Sequence, residues 1–409
     1  MDSKEKESWI KLEGRGITAA GGFKASGVVA GLKKGKKDIA LIYSEKEAAA
    51  AGVFTSNLVQ AAPVYLCREH LENPVRAVVI NSGNANACTG EQGRLDAREM
   101  SLKAAEALSL DAGSVMVSST GVIGVPLPMD KIRPGIDAAA AALGKGAQAD
   151  TDAAEAIMTT DTVVKQTAYR GRTSRGDFHL AGIAKGSGMI CPNMATMLAF
   201  LVTDVKIERA LLQELFSEAC DKSFNAITVD GDTSTNDTAL IMANGAAGDI
   251  EIVPGSEDYF IFRQMLNEIC RELALMIVED GEGLTKLITL KIKGSPDEAG
   301  GRVMARSILN SPLVKTAFYG EDANWGRIIA ALGYAGVAFN PELVDIYIGP
   351  YQVAANGGAV PFSEVEMKKI LQNRYVTVVI DLKNGPSEVT AWGTDMSHEY
   401  ININSDYRS

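Results

Sequence analysis

The sequence predicts a mixed α/β fold, of class α/β or α+β, in which helices pack on sheets. Short β-branched or apolar runs, which are typical of strands, occur along the whole length of 409 residues. Amphipathic helical segments alternate with these runs. The 40 glycines are scattered among them without a repeat or a low-complexity period. The chain is therefore expected to be compact throughout, with layered helices and sheets.

The predicted strands are short and are spread across the whole length of the chain. Each consists mainly of β-branched or apolar residues, with polar residues at or near its ends. The segments are 39–43, 76–80, 114–118, 197–203, 226–230, 288–293, 344–348 and 376–381.

The predicted helices each show one apolar face, because apolar residues recur at three- and four-residue spacing. The segments are 94–108, 207–219, 257–277 and 367–371. Ser256 precedes the third helix as a candidate N-cap. Ser363 and Glu366 form a capping-box pattern ahead of the fourth helix.

Domain boundaries are poorly marked, because no Pro/Ser-rich linker or polar tract divides the chain. The segment 294–301, GSPDEAGG, has the most linker-like composition. It is predicted to introduce a smaller C-terminal subdomain that begins near residue 294.

The charge balance excludes several classes of partner. Lys and Arg number 40 against 51 Asp and Glu, which gives a net charge of −11. An acidic chain is a poor candidate for binding nucleic acid or an anionic membrane, so small-molecule partners are expected. The N-terminal segment MDSKEKESWIKLEG is charged where a signal peptide is apolar. The long uncharged runs are too rich in polar residues, Gly and Pro to span a bilayer, and a cytoplasmic protein is expected.

Histidine and cysteine are too scarce and too dispersed for much familiar chemistry. The three histidines lie far apart, and the five cysteines form no Cys-x-x-Cys pair. A zinc site of the usual spacing is therefore not visible, and no metal is expected. No Gly-x-Ser-x-Gly elbow, dinucleotide fingerprint or phosphate loop is present, which removes the best support for an α/β-hydrolase or a nucleotide cofactor.

The segment 117–126, VSSTGVIGVP, is the first candidate site. A predicted strand ends there in hydroxyl residues, and Gly121 follows Thr120. A Gly after hydroxyl residues lets backbone N–H groups approach an anion or a developing oxyanion closely. On these residues alone, an ordinary strand-to-loop turn is the favoured alternative.

The segment 185–200, KGSGMICPNMATMLAF, is the second candidate site. Lys185 opens a Gly-Ser-Gly turn, and Ala195 precedes Thr196 at the head of a predicted strand. A Thr hydroxyl is a weak nucleophile, but a Thr freed at a chain terminus carries its own base in the α-amine. The reference pKa of such an amine is about 7.7 to 8.0, so no histidine is required. By itself, an Ala-Thr dipeptide that leads into a strand is more simply structural.

Three further polar clusters are weaker signals. The segment 230–237, DGDTSTND, is dense in oxygen ligands but does not match an EF-hand loop, so a polar turn is favoured. The segment 81–90, NSGNANACTG, is either a binding loop or Asn/Gly turn chemistry. The acidic stretch 279–282 follows a predicted helix and fits a C-cap with solvated carboxylates.

Taken together, these motifs resemble one family along nearly the whole chain. The family is that of the bifunctional arginine-biosynthesis proteins, the ornithine acetyltransferases or glutamate N-acetyltransferases. The pair KGSGM and PNMATML is the most specific part of the resemblance. The other matching motifs are GGFKASGVVAGLK, AGVFTSNLVQAAPV, NSGNANACTG, SSTGVIG, TTDT, DGDTSTNDT, VEDGEG, ANWGRI and NSDYRS.

The resemblance implies a precursor that cleaves itself between Ala195 and Thr196. It implies an α chain of residues 1–195 and a β chain of residues 196–409 that begins with the nucleophile Thr196. The fold implied is of the N-terminal-nucleophile type, with helices layered around sheets. Two α and two β chains are expected to assemble.

The resemblance also implies ping-pong acyl transfer from N-acetylornithine to glutamate through an acetyl-Thr196 intermediate. Thr120 and Gly121 match the family's oxyanion-hole pair. No cofactor is implied; acetyl-CoA is a second candidate acetyl donor, since family members differ in using it. The positions that match the family's substrate-binding residues are Thr159, Lys185, Thr196, Glu282, Asn404 and Ser409.

The chemistry of these side chains suits an amino-acid substrate with charges of both signs. Lys185 can pair with an α-carboxylate, and Glu282 can receive the ornithine side-chain ammonium. Ser409 departs from the family's usual terminal Thr but keeps the hydroxyl.

Two other functions remain as alternatives. A hydrolase with the same N-terminal Thr would pass the acyl group to water instead of glutamate. A non-catalytic anion-binding protein would leave the bond between Ala195 and Thr196 intact.

Overall fold

The computed structural model describes residues 8–191 and 197–406. Its strands are β1 (Trp9–Lys11), β2 (Phe23–Val28), β3 (Ile39–Phe54), β4 (Val75–Asn84), β5 (Val115–Val122), β6 (Lys165–Thr173), β7 (Gly176–Lys185), β8 (Leu198–Thr203), β9 (Lys206–Ile207), β10 (Ile227–Thr228), β11 (Thr238–Ala243), β12 (Glu251–Ile252), β13 (Leu287–Ser295), β14 (Asp345–Ile348), β15 (Tyr351–Ala355), β16 (Gly358–Ala359), β17 (Tyr375–Asp381) and β18 (Ser387–Thr394).

The α-helices fall between these strands and after the last of them. They are α1 (Ala62–His70), α2 (Gly90–Leu108), α3 (Met129–Ala141), α4 (Ala147–Ile157), α5 (Arg209–Asp221), α6 (Glu257–Glu279), α7 (Glu298–Leu309), α8 (Pro312–Tyr319), α9 (Trp325–Gly333), α10 (Glu364–Leu371) and α11 (His398–Asp406).

The larger sheet is folded on itself at the 16-residue strand β3. Its strand order is β1-β6-β7-β8-β11-β3-β4-β5, and β2 also pairs with β3. The first half of β3 pairs with β4, whereas residues 49–54 pair with β11. An irregularity in register between Tyr43 and Ala48 separates the two halves. Such an irregularity bends a strand, so one continuous strand serves two sheet halves.

The two halves of this sheet face each other and carry helices on their outer faces. Alternate residues of β8 point to opposite sides, so Phe200 lies in the core between the halves while Leu201 packs towards α5 and α6. The facing half behaves in the same way: Ile80 points inward, and Val79 packs towards α2 and α3. The result is a layered arrangement of helix, sheet, sheet and helix, which confirms the predicted fold class.

A second sheet of seven strands holds most of the C-terminal part of the chain. Its order is β10-β18-β13-β17-β14-β15-β16. It includes residues 227–228 as well as the strands from Leu287 onward. The predicted subdomain boundary near residue 294 falls inside β13 and stays a prediction, as does the division at residue 196.

The predicted strands and helices are found, with differences at some ends. The third predicted helix is confirmed as α6, and the Ser256 hydroxyl accepts the Tyr259 N–H at 3.1 Å as its cap. The Ser363 hydroxyl likewise accepts the Glu366 N–H, at 3.4 Å, at the start of α10. The predicted strand 226–230 is reduced to β10, because Ala226 ends a short 3-10 helix and the chain turns after Thr228.

Within residues 8–191 and 197–406, no helix is both long enough and apolar enough to cross a membrane.

Candidate active site

One pocket brings together the sequence-predicted site residues that the structure describes. It lies where β5 and β7 end and where the chain enters β8, and α11 contributes to one wall. The predicted residues that line it are Thr120, Gly121, Thr159, Lys185, Glu282 and Asn404. These positions are separated by up to 284 residues of sequence, and only the folded chain makes them neighbours.

Thr120 and Gly121 stand at the end of β5, where the strand approaches β4 very closely. Gly121 has φ +136°, and a Cβ at this position would lie 2.3 Å from the carbonyl carbon of Gly83. Any side chain would therefore collide with the backbone of β4, and only Gly fits here. Thr120 is buried at 4% exposure. The end of β5 therefore presents the Thr120 hydroxyl at the pocket wall, next to the Gly121 backbone.

Lys185 ends β7 and is buried beside this strand end at 2% exposure. Its Nζ donates to the Thr120 Oγ1 at 3.3 Å. Because Thr120 accepts this bond, its own hydroxyl hydrogen stays available to a group in the pocket. Burial lowers the pKa of Lys185, and the nearby Asp161 carboxylate opposes that shift.

Asp161 connects this lysine to the rest of the pocket. Its carboxylate accepts the Gly186 N–H at 2.6 Å and the Thr159 N–H at 2.9 Å. It also forms an ion pair with the fully buried Lys165 at 2.7 Å. Burial alone would raise the pKa of Asp161, but the ammonium groups of Lys185 and Lys165 outweigh it and hold the pKa at about 2. Asp161 is therefore a charged carboxylate, and it fixes the backbone of Thr159 and of the Gly-Ser-Gly turn.

Glu282 and Asn404 form the opposite side of the pocket. Asn404 Nδ2 donates to the Glu282 Oε2 at 2.9 Å, so α11 orients this carboxylate. The Glu282 N–H donates to the Ser187 carbonyl at 2.9 Å. A Cβ at Gly188 would lie 2.3 Å from the Glu282 Oε2, so the absence of a side chain there lets the carboxylate reach the pocket.

Three predicted residues lie outside the described residues: Ala195, Thr196 and Ser409. Met197, which follows Thr196 in the chain, is described and is buried at 1% exposure. Leu198 pairs with Lys185 across β7 and β8, so the chain enters β8 opposite the buried lysine.

Sequence reasoning missed several residues of the site. The sequence favours a polar turn for the segment 230–237. The pocket is nevertheless lined by three residues of this segment, Ser234, Thr235 and Asn236. Asp161 belongs to the TTDT motif, from which only Thr159 was selected. These residues lie inside motifs that match the family, and this was the signal that could have identified them. Their neighbours in the sequence do not reveal which side chains or backbone groups they contact in the fold.

The asparagine-rich segment 81–90 begins inside β4 and continues into the loop that follows this strand. The Asn81 Nδ2 donates to the Asn84 carbonyl at 2.8 Å, and the Asn86 Nδ2 donates to the Gly93 carbonyl at 2.9 Å. The amides thus satisfy backbone groups. Ala85 of this segment also lines the pocket. Among the described residues, no three His, Cys, Asp or Glu side chains group as metal ligands would.

The polar pocket in this layered fold has the lining of an enzyme active site, and the match to a family of acyltransferases assigns the class of enzyme. The chain belongs to the ArgJ family, whose model matches residues 24–409. The family resemblance seen in the sequence is thereby confirmed.

Individual relatives match the chain at high identity. The arginine biosynthesis bifunctional protein ArgJ of Symbiobacterium thermophilum is 51% identical over 398 residues, which cover 96% of this chain and 98% of the relative. The crystal structure of the ArgJ protein of Bacillus halodurans is 41% identical with a TM-score of 0.50, and the match covers 51% of this chain and 98% of that one. The ornithine acetyltransferase of Mycobacterium tuberculosis, solved in complex with ornithine, is 42% identical with a TM-score of 0.43, and the match covers 45% of this chain and 98% of that one.

Proposed function

We propose that the protein cleaves itself between Ala195 and Thr196 and then transfers acetyl groups from N-acetylornithine to glutamate in arginine biosynthesis. The observation that carries this proposal is the convergence of Thr120, Gly121 and Lys185 at the edge where the chain enters β8. Met197, which follows Thr196 in the sequence, precedes Leu198, the residue that pairs with Lys185 at that edge.

Self-cleavage begins with attack of the Thr196 hydroxyl oxygen on the Ala195 carbonyl carbon. The C–N bond breaks as the new C–O ester bond forms, and the hydroxyl proton passes to the departing nitrogen. Water then hydrolyses the ester. The products are a carboxylate on Ala195 and a Thr196 with a free hydroxyl and a free α-amine.

The lengths of the relatives support a division of the chain. The relative from Symbiobacterium thermophilum matches almost this whole chain, whereas the solved Bacillus halodurans chain is nearly fully matched by about half of it. A precursor that becomes two chains explains both lengths. The family resemblance, and not these lengths, implies that two chains 1–195 and two chains 196–409 assemble.

Acetyl transfer uses the same nucleophile with its own amine as base. The Thr196 hydroxyl attacks the acetyl carbonyl of N-acetylornithine while the α-amine takes the hydroxyl proton. The proton passes to the leaving nitrogen, and ornithine departs to leave an acetyl ester on Thr196. The amine of glutamate then attacks this ester, which forms N-acetylglutamate and restores the hydroxyl.

The Thr120 hydroxyl and the Gly121 N–H stabilise the oxyanion in both halves of the reaction. Lys185 donates to the Thr120 oxygen, which directs the Thr120 hydrogen to another acceptor. The neighbouring Lys185 side chain also favours negative charge that develops beside the buried Thr120.

We expect the Thr120→Ala variant to lose about 10²- to 10³-fold in kcat, because one oxyanion donor is removed. The matched control is Thr120→Ser, which keeps the hydroxyl and should stay within about tenfold of the wild type. Steady-state kinetics on fully cleaved protein measure the effect. Equal kcat values for Thr120→Ala and the wild type would remove Thr120 from the oxyanion hole.

The two sides of the pocket bind substrate groups of opposite charge. Lys185 pairs with a carboxylate of the substrate, and Glu282 receives the ornithine side-chain ammonium. Asn404 holds the Glu282 carboxylate in place, and Thr159 is fixed by Asp161. Ser409 is assigned to the same site by its family position.

We expect Glu282→Gln to raise the KM for N-acetylornithine by about ten- to a hundredfold, with a smaller change in kcat. The reason is the loss of a hydrogen bond to a charged group, worth about 1.5–3 kcal/mol. Glu279→Gln is the control, because Glu279 belongs to the same acidic segment but is not among the residues that line the pocket. An unchanged KM in Glu282→Gln would assign the ammonium to another partner.

The decisive test of the proposed function is release of ornithine from N-acetylornithine with and without glutamate. A transferase releases ornithine continuously only when glutamate is present, whereas a hydrolase releases it equally fast without glutamate. Denaturing mass spectrometry tests the cleavage: two fragments that meet at Thr196 support it, and a 43.3 kDa chain that never cleaves contradicts it. Substituting acetyl-CoA for N-acetylornithine in the same assay tests whether acetyl-CoA is also a donor.

A further inference from the structure

The acidic motif 230–237 contacts the chain on both sides of the proposed cleavage bond. Upstream, the Asp230 carboxylate accepts the Met189 N–H at 2.6 Å and the Ile190 N–H at 2.9 Å. Downstream, the Asp237 Oδ1 accepts the Met197 N–H at 3.0 Å. The sequence favours a polar turn for this motif. In the structure, the motif places one carboxyl group at the upstream segment, Met189 and Ile190, and another at the downstream residue Met197.

Both backbone groups of Met197 are bound by two consecutive residues. Its N–H donates to the Asp237 side chain, and its carbonyl accepts the Thr238 N–H at 3.2 Å. Thr238 begins β11, which pairs with β8 from Leu198 onward. The Asp237 side chain thus extends the hydrogen bonding of β8 by one group, at the point where the backbone ladder ends.

Asp237 is completely buried. Burial raises its pKa well above the usual range, against the opposing effects of the Met197 N–H and Lys185. Its Oδ1 accepts the Met197 N–H, so this buried carboxyl group fixes the backbone nitrogen from inside the core.

Asp230 is tied to the other wall of the pocket. Besides the two upstream N–H groups, it accepts the Asp232 N–H at 3.2 Å and the Tyr400 hydroxyl at 3.3 Å. Tyr400 lies on α11, the helix that carries Asn404. The upstream flank is thus fixed to the elements that orient Glu282.

We propose that Asp237 and Asp230 are positioning residues that hold the two flanks of the bond between Ala195 and Thr196 for attack. This inference rests on the proposed function. The Met197 nitrogen is covalently bonded to the carbonyl carbon of Thr196, so fixing that nitrogen restricts the nucleophile even after cleavage has removed its upstream neighbour. A misplacement of about 1 Å at a reacting centre costs on the order of 10² in rate.

The test compares Asp237→Ala with Asp237→Asn, because an amide oxygen can accept the same Met197 N–H as the Asp237 Oδ1. We expect Asp237→Ala to slow cleavage and to lower the kcat of cleaved protein by about 10²-fold. The KM values for N-acetylornithine and glutamate stay within about threefold, since no substrate contact is removed. Asp237→Asn recovers both rates to within about tenfold of the wild type.

Asp232→Ala is the matched control, because Asp232 lies in the same motif with an exposed side chain. Its cleavage and kcat should equal those of the wild type. Asp230→Ala should slow cleavage by about tenfold or more, since the upstream flank loses two hydrogen bonds. Cleavage is followed by mass spectrometry of purified protein over time, and transfer is measured on the cleaved fraction.

The outcomes separate this inference from the proposed function. A wild-type chain that neither cleaves nor transfers acetyl contradicts the proposed function, whatever the Asp237 variants do. A wild-type chain that does both, with Asp237→Ala at the wild-type rates, overturns the positioning role. Equal losses in Asp237→Ala and Asp237→Asn, with equally lowered Tm, also overturn it, because they indicate a purely structural role. If Asp237→Ala does not fold, the Asp237→Glu variant replaces it, because the longer side chain shifts the carboxyl group relative to the Met197 N–H. A wild-type kcat for Asp237→Glu would overturn the positioning role.

Discussion

The Thr196→Ala variant should remain a single uncut chain and lose acetyl transfer by about 10⁴-fold or more. The hydroxyl of Thr196 is the attacking group in both proposed reactions, and removal of a nucleophile costs roughly this much in enzymes that act through a covalent intermediate. Denaturing mass spectrometry and an ornithine-release assay on the same preparation measure the two effects together.

Thr196→Ser is the matched control for this variant. It keeps a hydroxyl and, after cleavage, an α-amine, so it should cleave and retain measurable transfer. Cleavage at residue 196 in the Thr196→Ala variant, or acetyl transfer within tenfold of the wild type, would show that another residue is the nucleophile.

The Lys165→Met variant should lower the free energy of unfolding by about 3–5 kcal/mol. Lys165 is completely buried, and its Nζ lies 2.7 Å from the Asp161 Oδ1 and 2.6 Å from the Asp280 Oδ2. Removing the ammonium leaves two buried carboxylates without their shared partner, and breaking a buried ion pair in this way is costly. Urea denaturation at neutral pH measures the change.

Lys103→Met provides the comparison at the surface. Lys103 pairs with Asp137 at 3.0 Å and with Glu106 at 3.3 Å, and both carboxylates are largely exposed. Its loss should cost no more than about 1 kcal/mol. If the two variants were destabilised equally, the buried network would not be a main support of the fold. The Lys165→Met/Asp280→Asn double variant should recover part of the loss, because one of the two unpaired charges is removed.

Strands with alternating apolar and polar residues, or with a continuous apolar run, could be predicted from the sequence. Several strands with more polar residues could not. The hairpin β6 and β7 carries polar residues such as Gln166, Arg170 and Asp177, and the sequence gives no clear strand pattern there. These strands form because they pair with each other and, through β7, with β8. Strand preference depends on neighbours across the sheet, and those neighbours are not visible in a local window.

The sequence by itself determined the parts of this protein that depend on local order. The apolar spacing of α6 and its Ser256 cap are local features, as are the motifs that revealed the family. Each depends on residues within a few positions of one another, because helix periodicity, capping and turn geometry are short-range effects.

The tertiary structure alone decided which of these motifs act together. Thr120, Lys185 and Glu282 come from three distant segments, and only the pairing of β7 with β8 and the docking of α11 bring them to one pocket. The same is true of Asp161 and Asp237, whose roles follow from burial beside lysines and backbone N–H groups supplied from elsewhere in the chain. Burial and long-range hydrogen bonding exist only once the sheets have folded against each other. The residues next to these carboxylates in the sequence therefore could not reveal their hydrogen-bond partners.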